Sequence, residues 1–159
     1  MSMEHSRIEY SVFTKMVPSV YAGLLAIGSA VKDSGLEQKL AELIKVRVSQ
    51  INGCAFCIQY HLNIARQIGV EAVKLDLLAG WKDAGIFSAR EQAALAWAEC
   101  LTALTAQGAP DSVYEALQAQ FTEKEVAYLT VAIGAINYWN RLGVGLRFSP
   151  PPAITGGHI

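Results

Sequence analysis

The chain has 159 residues, enough for one compact domain with a hydrophobic core and short for two domains of typical size. Its net charge is −1, and no basic run or stripe offers the electrostatic attraction that nucleic acids and anionic membranes require. Only 17% of the residues are charged and 52% are hydrophobic, less polar covering than a solitary monomer usually carries, so we expect contacts between subunits.

The first ten residues are charged and lack the apolar segment and small-residue cleavage site of a secretory signal, so we expect a cytoplasmic protein. The two most apolar stretches, residues 17–31 and 126–146, are interrupted by glycine and polar side chains. Both fall short of the roughly 20 lipid-compatible residues that a membrane helix needs. We predict that both stretches form buried helices and that the protein has no membrane span.

Nearly every segment has the hydrophobic period of a helix, so the predicted fold is all-α. The predicted helices cover residues 19–32, 37–51, 54–68, 71–78, 89–105, 113–120 and 123–142. Three helix starts carry the Ser/Thr-x-x-Glu pattern of a capping box. These pairs are Ser88 with Glu91, Ser112 with Glu115, and Thr122 with Glu125. Residues 1–159 are predicted to form a single domain, in which the proline-rich residues 147–159 are an extended tail.

The second and third predicted helices form an antiparallel hairpin, because only an Asn-Gly turn at residues 52–53 separates them. Cys54, Cys57 and His61 stand at positions i, i+3 and i+7 of the third helix, which places them on one face. Glu42 lies about as far before the turn as His61 lies after it. We therefore expect the carboxylate to come within one helical turn of the imidazole, where the pair would serve as a proton relay.

Two cysteines separated by two residues in a cytoplasmic chain indicate redox chemistry or a metal site. A thiolate attacks a peroxide or a disulfide, and a second cysteine close by can then form an intramolecular disulfide. The spacing leaves the attacking thiol open. Cys54 is nearest the helix N-terminus, whose dipole stabilises a thiolate, whereas Cys57 is one turn from His61 and nearest the relay.

A zinc site is the alternative use of the two cysteines and the histidine, and it would need a fourth ligand. The candidates, none at a helpful spacing, are His5, His158, Cys100 or a carboxylate. We predict instead that Cys100 belongs to the core. Aromatic and apolar side chains could line a substrate pocket, although their helical spacing favours a core role; these are Tyr21, Leu24, Tyr138 and Trp139.

The pattern Glu42, eleven residues, Cys54-Ala55-Phe56-Cys57, three residues, His61 resembles the signature of the alkylhydroperoxidase D (AhpD)-like branch of the carboxymuconolactone decarboxylase superfamily. The surrounding text VSQINGCAFCIQYH is similar, and the resemblance extends to residues 7–18 and 136–142. It implies an all-α AhpD-like bundle with the Cys-x-x-Cys at the start of the second helix of the hairpin. It also implies a homo-oligomer, a trimer or a hexamer.

The resemblance implies that Cys57 attacks an alkyl hydroperoxide and that Cys54 resolves the sulfenic acid as a disulfide, with Glu42 and His61 as the relay. These four are the candidate catalytic residues. The resemblance implies no metal or other cofactor, and a dithiol protein or small thiol as reductant. The best-studied peroxidases of the family carry a second histidine between the cysteines, where this chain has Phe56. That departure concerns the efficiency of peroxide turnover and not thiol chemistry itself.

Two other functions stay open on the sequence. One is a redox relay, sensor or disulfide reductase with little peroxidase turnover, which Phe56 and the apolar composition would suit. The other is decarboxylation of a carboxymuconolactone, the second chemistry of the superfamily. Decarboxylation has no evident use for two cysteines, so the Cys-x-x-Cys favours thiol chemistry.

Overall fold

The computed structural model describes residues 5–154, and within them all regular structure is helical, which confirms the all-α prediction for this part of the chain. A short 3₁₀ turn lies at Leu78–Gly80. The α-helices are α1 (Tyr10–Met16), α2 (Pro18–Asp33), α3 (Gln38–Asn52), α4 (Ala55–Gln67), α5 (Ala72–Asp76), α6 (Trp81–Ala84), α7 (Ala89–Thr102), α8 (Leu104–Gln107), α9 (Asp111–Gln118) and α10 (Glu123–Leu146).

Two of the three predicted capping boxes are confirmed. The hydroxyl of Ser88 accepts the Glu91 amide at the start of α7, and the carboxylate of Glu91 accepts the Ser88 amide in return. Thr122 and Glu125 make the same exchange at the start of α10. Both boxes satisfy amides that the first turn of a helix leaves without partners.

The third predicted capping box, at Ser112, is wrong. Pro110 holds the extended N-cap conformation, with φ −63° and ψ 143°, and α9 begins at Asp111. Ser112 therefore lies inside the first turn and caps nothing. A carboxylate in the first turn is favourable beside the positive end of the helix dipole, which explains the earlier start at Asp111.

Helix ends differ from the prediction in three other places. The predicted helix at 89–105 breaks at Ala103 into α7 and α8, and the predicted helix at 71–78 ends at Asp76, ahead of the 3₁₀ turn. Helix α10 continues to Leu146 instead of ending at residue 142, because its packing against α2, α3 and α4 outweighs the low helix propensity of its glycines.

Helix α1 is absent from the prediction because its only buried residue, Phe13, gives no periodic apolar stripe.

Backbone hydrogen bonds join the segment before α1 to the C-terminal end of α10. The amides of Arg7 and Ile8 both donate to the Leu146 carbonyl, at 2.9 and 3.1 Å. The start of the described chain is thus anchored at the C-terminal end of α10, beside the cysteine pair.

Helix α3 lies at the centre of the bundle, in contact with α4, α7 and α10. Its buried residues occupy almost every side of the helix and include Leu43, Ile44, Val46 and Val48. The α3–α4 hairpin is present as predicted, and Gly53 turns the chain in the left-handed conformation, with φ 67° and ψ 30°. Glycine adopts this conformation without the steric cost that a Cβ would add.

A buried polar cluster joins the hairpin turn to α10. The Asn140 side chain donates to the Ser49 hydroxyl at 3.0 Å and accepts from the Asn52 amide group at 2.9 Å. Asn52 also donates to the Asn137 side chain at 2.9 Å. Because a buried amide without a hydrogen-bond partner costs free energy, these hydrogen bonds hold the hairpin turn at one position along the axis of α10.

The prediction that residues 17–31 form a buried helix is wrong for most of α2. Only Leu24 and Val31 of this helix are buried, whereas Val20, Leu25 and Ile27 are 42%, 49% and 40% exposed. Hydropathy measures the preference of a helix for burial and does not show whether the same chain supplies enough neighbours. Within residues 5–154 no single helix is long and apolar enough to span a membrane, although α1 and α2, a pair bent by 107°, pass that test together.

The described part of the predicted tail, residues 147–154, has no helix or strand and returns to α4. The Asn63 side chain donates to the Pro152 carbonyl at 2.9 Å and accepts the Ile154 amide at 3.0 Å. Two hydrogen bonds therefore hold this segment against the α3–α4 hairpin. His158, one of the zinc candidates, lies outside the described residues.

Candidate active site

The two hairpin cysteines form a disulfide, with their Cα atoms 5.3 Å apart. Cys54 is the N-cap of α4, and its sulfur accepts the Cys57 amide at 3.3 Å. The exposed fractions of Cys54 and Cys57 are only 1% and 3%. A sulfur at an N-cap receives the positive end of the helix dipole, an environment that stabilises a thiolate when the disulfide is reduced.

Glu42 and His61 meet across the hairpin, as their spacing predicts. The Glu42 Oε2 atom lies 2.7 Å from Nδ1 of His61, and the other carboxylate oxygen accepts from Lys45 Nζ at 2.7 Å. A neutral imidazole that donates its Nδ1 proton to a carboxylate has Nε2 free as a base. The Lys45 pair is an ordinary i,i+3 contact on α3.

The Glu42 carboxyl is buried, and burial alone would raise its pKa. The hydrogen bond and positive charge of His61, together with those of Lys45, outweigh burial and hold the pKa of Glu42 below its ordinary value of 4.5. Glu42 is therefore a carboxylate at neutral pH. Burial raises the pKa of the Tyr60 phenol, and the charges of Tyr21 and Glu42 add to that rise, so Tyr60 stays neutral.

A cavity of about 580 Å³ lies between α1, α2, α3, α4 and α10. Glu42, Cys57 and His61 all line it, whereas Cys54 does not. Most of the wall is apolar and includes Leu24, Leu36, Phe56, Ile64, Ile136 and Trp139. One sulfur, a base and a carboxylate thus share an apolar chamber of a size that holds a small organic molecule.

An aromatic cluster covers the cysteine pair. Phe56 stacks on Tyr60 with ring centroids 5.8 Å apart, and it packs against Tyr10 at 5.1 Å and Phe148 at 5.4 Å. Phe56 lines the cavity, where it can neither donate nor accept a proton.

The sequence favoured a core role over a pocket role for four side chains, and the structure divides them. Leu24 and Trp139 line the cavity, whereas Tyr138 is exposed and Tyr21 packs against Tyr10 and Trp139. Tyr60 also lines the cavity, one turn beyond Cys57, and no sequence motif pointed to it. The cavity walls come from five helices, so periodicity within one helix could not reveal them.

The third cysteine, Cys100, is a free thiol buried in α7, as the core prediction requires. Among residues 5–154, no cluster of three His, Cys, Asp or Glu side chains has an arrangement that could hold a metal ion. Two of the predicted ligand candidates, His5 and Cys100, are therefore not brought to the cysteine pair.

Comparisons with known proteins identify the family of the chain. Residues 18–99 match the Carboxymuconolactone decarboxylase family, and the chain belongs to that family. It is 36% identical over 115 residues to the uncharacterized protein YdfG of Bacillus subtilis (strain 168). That match covers 72% of this chain and 78% of YdfG.

Comparison with solved structures places the chain in the AhpD-like branch of the family. The chain is similar to ATU0492 of Agrobacterium tumefaciens, a protein of unknown function described as a candidate antioxidant defence protein AhpD, with 39% identity and a TM-score of 0.87. That match covers 92% of this chain and 99% of ATU0492. A peroxidase-related protein of Ralstonia eutropha JMP134, described as an alkylhydroperoxidase AhpD core, shares the fold at 23% identity, with a TM-score of 0.77 and coverage of 88% and 75%. The AhpD-like fold that the motif implies is confirmed.

The lowered pKa of Glu42 predicts a pH-dependent contribution to stability. A carboxyl whose pKa is lower in the folded state stabilises the fold fully above its unfolded pKa, and this contribution is lost as the pH falls through the folded pKa. The free energy of unfolding, measured by urea titration from about pH 6 to about pH 3, should therefore fall more steeply for the native protein than for Glu42→Gln. Glu115→Gln, at an exposed position, should keep the native slope. Equal slopes for the native protein and Glu42→Gln would contradict the assignment.

Proposed function

We propose that the protein is a thiol-dependent peroxidase that reduces alkyl hydroperoxides through a dithiol–disulfide cycle of Cys54 and Cys57. The observation that carries the proposal is the shared cavity. Cys57, His61 and Glu42 line one apolar chamber, and Cys54 lies within disulfide distance of Cys57 but outside that chamber. Because Cys57 and not Cys54 lines the chamber, Cys57 is the attacking thiol in this proposal.

The first step oxidises Cys57 and reduces the peroxide. Nε2 of His61 takes the Cys57 proton, and the thiolate attacks the terminal oxygen of the hydroperoxide. The O–O bond breaks, the sulfur gains a hydroxyl as a sulfenic acid, and the alkoxide leaves with the proton that His61 held. Glu42 stabilises the transient imidazolium through Nδ1 and keeps the ring in place.

The second step returns the protein to a state that a reductant can recycle. The Cys54 thiol attacks the Cys57 sulfenic acid, the S–S bond forms, and water leaves with the thiol proton. A dithiol reductant, either a protein or a small molecule, then reduces the disulfide by exchange and becomes a disulfide itself. No step needs a metal or another cofactor.

The cavity favours an organic hydroperoxide over hydrogen peroxide. Its largely apolar wall binds an alkyl or aryl group by removing that group from water, whereas hydrogen peroxide has no apolar surface to bury. Lactone decarboxylation would leave the paired thiols without a role.

Dithiol-dependent turnover of cumene hydroperoxide, followed by loss of peroxide, tests the cycle. Cys57→Ser should abolish turnover, and Cys54→Ser should turn over more slowly and accumulate the Cys57 sulfenic acid, because only the added dithiol can then reduce that acid. His61→Gln should lower the rate by about 10²–10⁴-fold, the usual contribution of a general base. Cys100→Ala, away from the cavity, should keep native turnover.

Two results would decide against the peroxidase. Full turnover by Cys57→Ser would remove Cys57 from the attacking role. A native protein that forms the Cys54–Cys57 disulfide but consumes every organic peroxide slowly would be a redox relay or sensor, and Phe56 would be the residue to exchange for histidine.

We further propose that the protein assembles as a homo-oligomer and that α2 lies in the interface between subunits. The exposed side chains of Val20, Leu25 and Ile27 leave uncovered apolar surface on α2, and Leu25 and Gly28 also line the cavity. A neighbouring subunit on this face would bury the apolar side chains and close the chamber to water. Oligomer interfaces of this kind are more hydrophobic than ordinary surface.

Light scattering after size-exclusion chromatography measures the assembly. We expect a mass of three or six times the 17.2 kDa of the chain. Ile27→Glu should shift the protein to smaller species, because a charge would be buried without a partner in the interface. Val73→Glu, at a comparably exposed apolar position on α5, is the matched control and should leave the mass unchanged. A native mass of a single chain would contradict the assembly.

A further inference from the structure

Gly143 lies against the cysteine pair in the last turns of α10. It is buried, and its backbone is helical and lacks the positive φ that would demand glycine. Glycine inside a helix is less stable than alanine, so its presence here needs another reason. A Cβ at this position would lie 2.6 Å from Cys54 Sγ and 3.3 Å from Cys57 Sγ.

The other glycines of α10 show that this contact is specific. A Cβ built on Gly134 or Gly145 meets no atom within 4 Å, among the residues that the structure describes. Gly145 is only two residues from Gly143 on the same helix and is exposed. The close approach therefore belongs to position 143 and not to the glycine content of α10.

Neither side of the contact is free to retreat. The Cys54 amide donates to the Ser49 carbonyl at 3.1 Å, and its sulfur accepts the Cys57 amide. On the other side, Asn140 bonds α10 to the hairpin three residues before Gly143. The Gly143 carbonyl accepts the Phe148 amide at 3.1 Å, which holds the end of the helix. A side chain at 143 would have to displace the Cys54 sulfur.

We propose that Gly143 is a positioning residue for the resolving step: its bare backbone leaves the space in which Cys54 Sγ meets Cys57 Sγ. The inference rests on the proposed peroxidase cycle. Peroxide attack uses Cys57 alone, and the shorter 2.6 Å approach falls on Cys54, so a methyl group at 143 obstructs resolution more than attack. The sulfenic acid forms as before, whereas S–S bond formation with release of water is slowed.

The test compares Gly143→Ala with Gly145→Ala, its matched control on the same helix. Each reduced protein receives one equivalent of cumene hydroperoxide together with dimedone, a trap for sulfenic acid, and the products are assigned by mass. The native protein and Gly145→Ala should give mainly the disulfide. Gly143→Ala should give mainly trapped Cys57 sulfenic acid, with disulfide formation slowed by about tenfold or more. Equal disulfide rates in the two variants would overturn the inference.

A second oxidant separates this inference from the peroxidase proposal. Diamide converts a dithiol to a disulfide without any peroxidase step, so Gly143→Ala should be slower than Gly145→Ala with diamide as well. If the native protein forms its disulfide with diamide and not with peroxide, the peroxidase proposal fails, and the diamide rates of the two variants still decide the role of Gly143. Equal diamide rates would refute that role.

A double variant guards against a general folding defect in Gly143→Ala. Removing the sulfur in Cys54→Ala should relieve the contact, so Gly143→Ala should destabilise the oxidised native background and not the Cys54→Ala background. The free energy of unfolding of the four proteins measures this coupling. If Gly143→Ala destabilises both backgrounds equally, its effect is unrelated to Cys54, and the inference is wrong.

Discussion

The hydrogen bond between Glu42 and His61 is the interaction on which the rest of the site depends. It joins two helices across a turn of minimal length and brings together residues 19 positions apart in the sequence. A slip of the hairpin by one helical turn, about 5.4 Å, would separate the carboxylate from the imidazole. The left-handed Gly53 and the Asn52 contacts with α10 oppose such a slip. The hydrogen bond also offsets the desolvation cost of burying Glu42, since a buried carboxylate without a partner would be strongly destabilising.

Helix α10 provides the second constraint, on the sulfurs. Asn140 and Gly143 lie three residues apart and therefore face the hairpin together. Asn140 sets the level of the turn through Ser49 and Asn52, and Gly143 provides room for Cys54 one turn later. Helix α10 thus fixes the position of the α3–α4 hairpin along its axis and also leaves space beside the disulfide.

Local patterns predicted the parts of the site that lie on one hairpin. The i, i+3, i+7 spacing and the Asn-Gly turn were sufficient to place Glu42 beside His61, because helix geometry fixes both distances from the bend. The capping boxes at Ser88 and Thr122 were predictable for the same reason. At Ser112 the local pattern matched and the helix still began earlier, since Pro110 and Asp111 offered a better start.

Features made by several helices were not predictable from periodicity. The exposure of α2 depends on which neighbours reach it, and hydropathy contains no information about neighbours. The cavity is lined by side chains of five helices, and the sequence does not distinguish Gly143 from the other glycines of α10; only the packing of α10 against Cys54 does. The length of α10 belongs to the same group, because tertiary contacts outweigh the low helix propensity of its glycines.

The central claim is that the Glu42 and His61 relay activates Cys57 and not Cys54. The most direct measurement is the rate at which iodoacetamide alkylates the reduced protein as a function of pH, with each modified cysteine identified by mass. We predict that Cys57 reacts first, that Glu42→Gln slows this reaction near neutral pH, and that Cys100, which does not line the chamber, reacts at the same rate in both proteins as an internal control. Faster alkylation of Cys54, or a Cys57 rate that is unchanged in Glu42→Gln, would contradict the account.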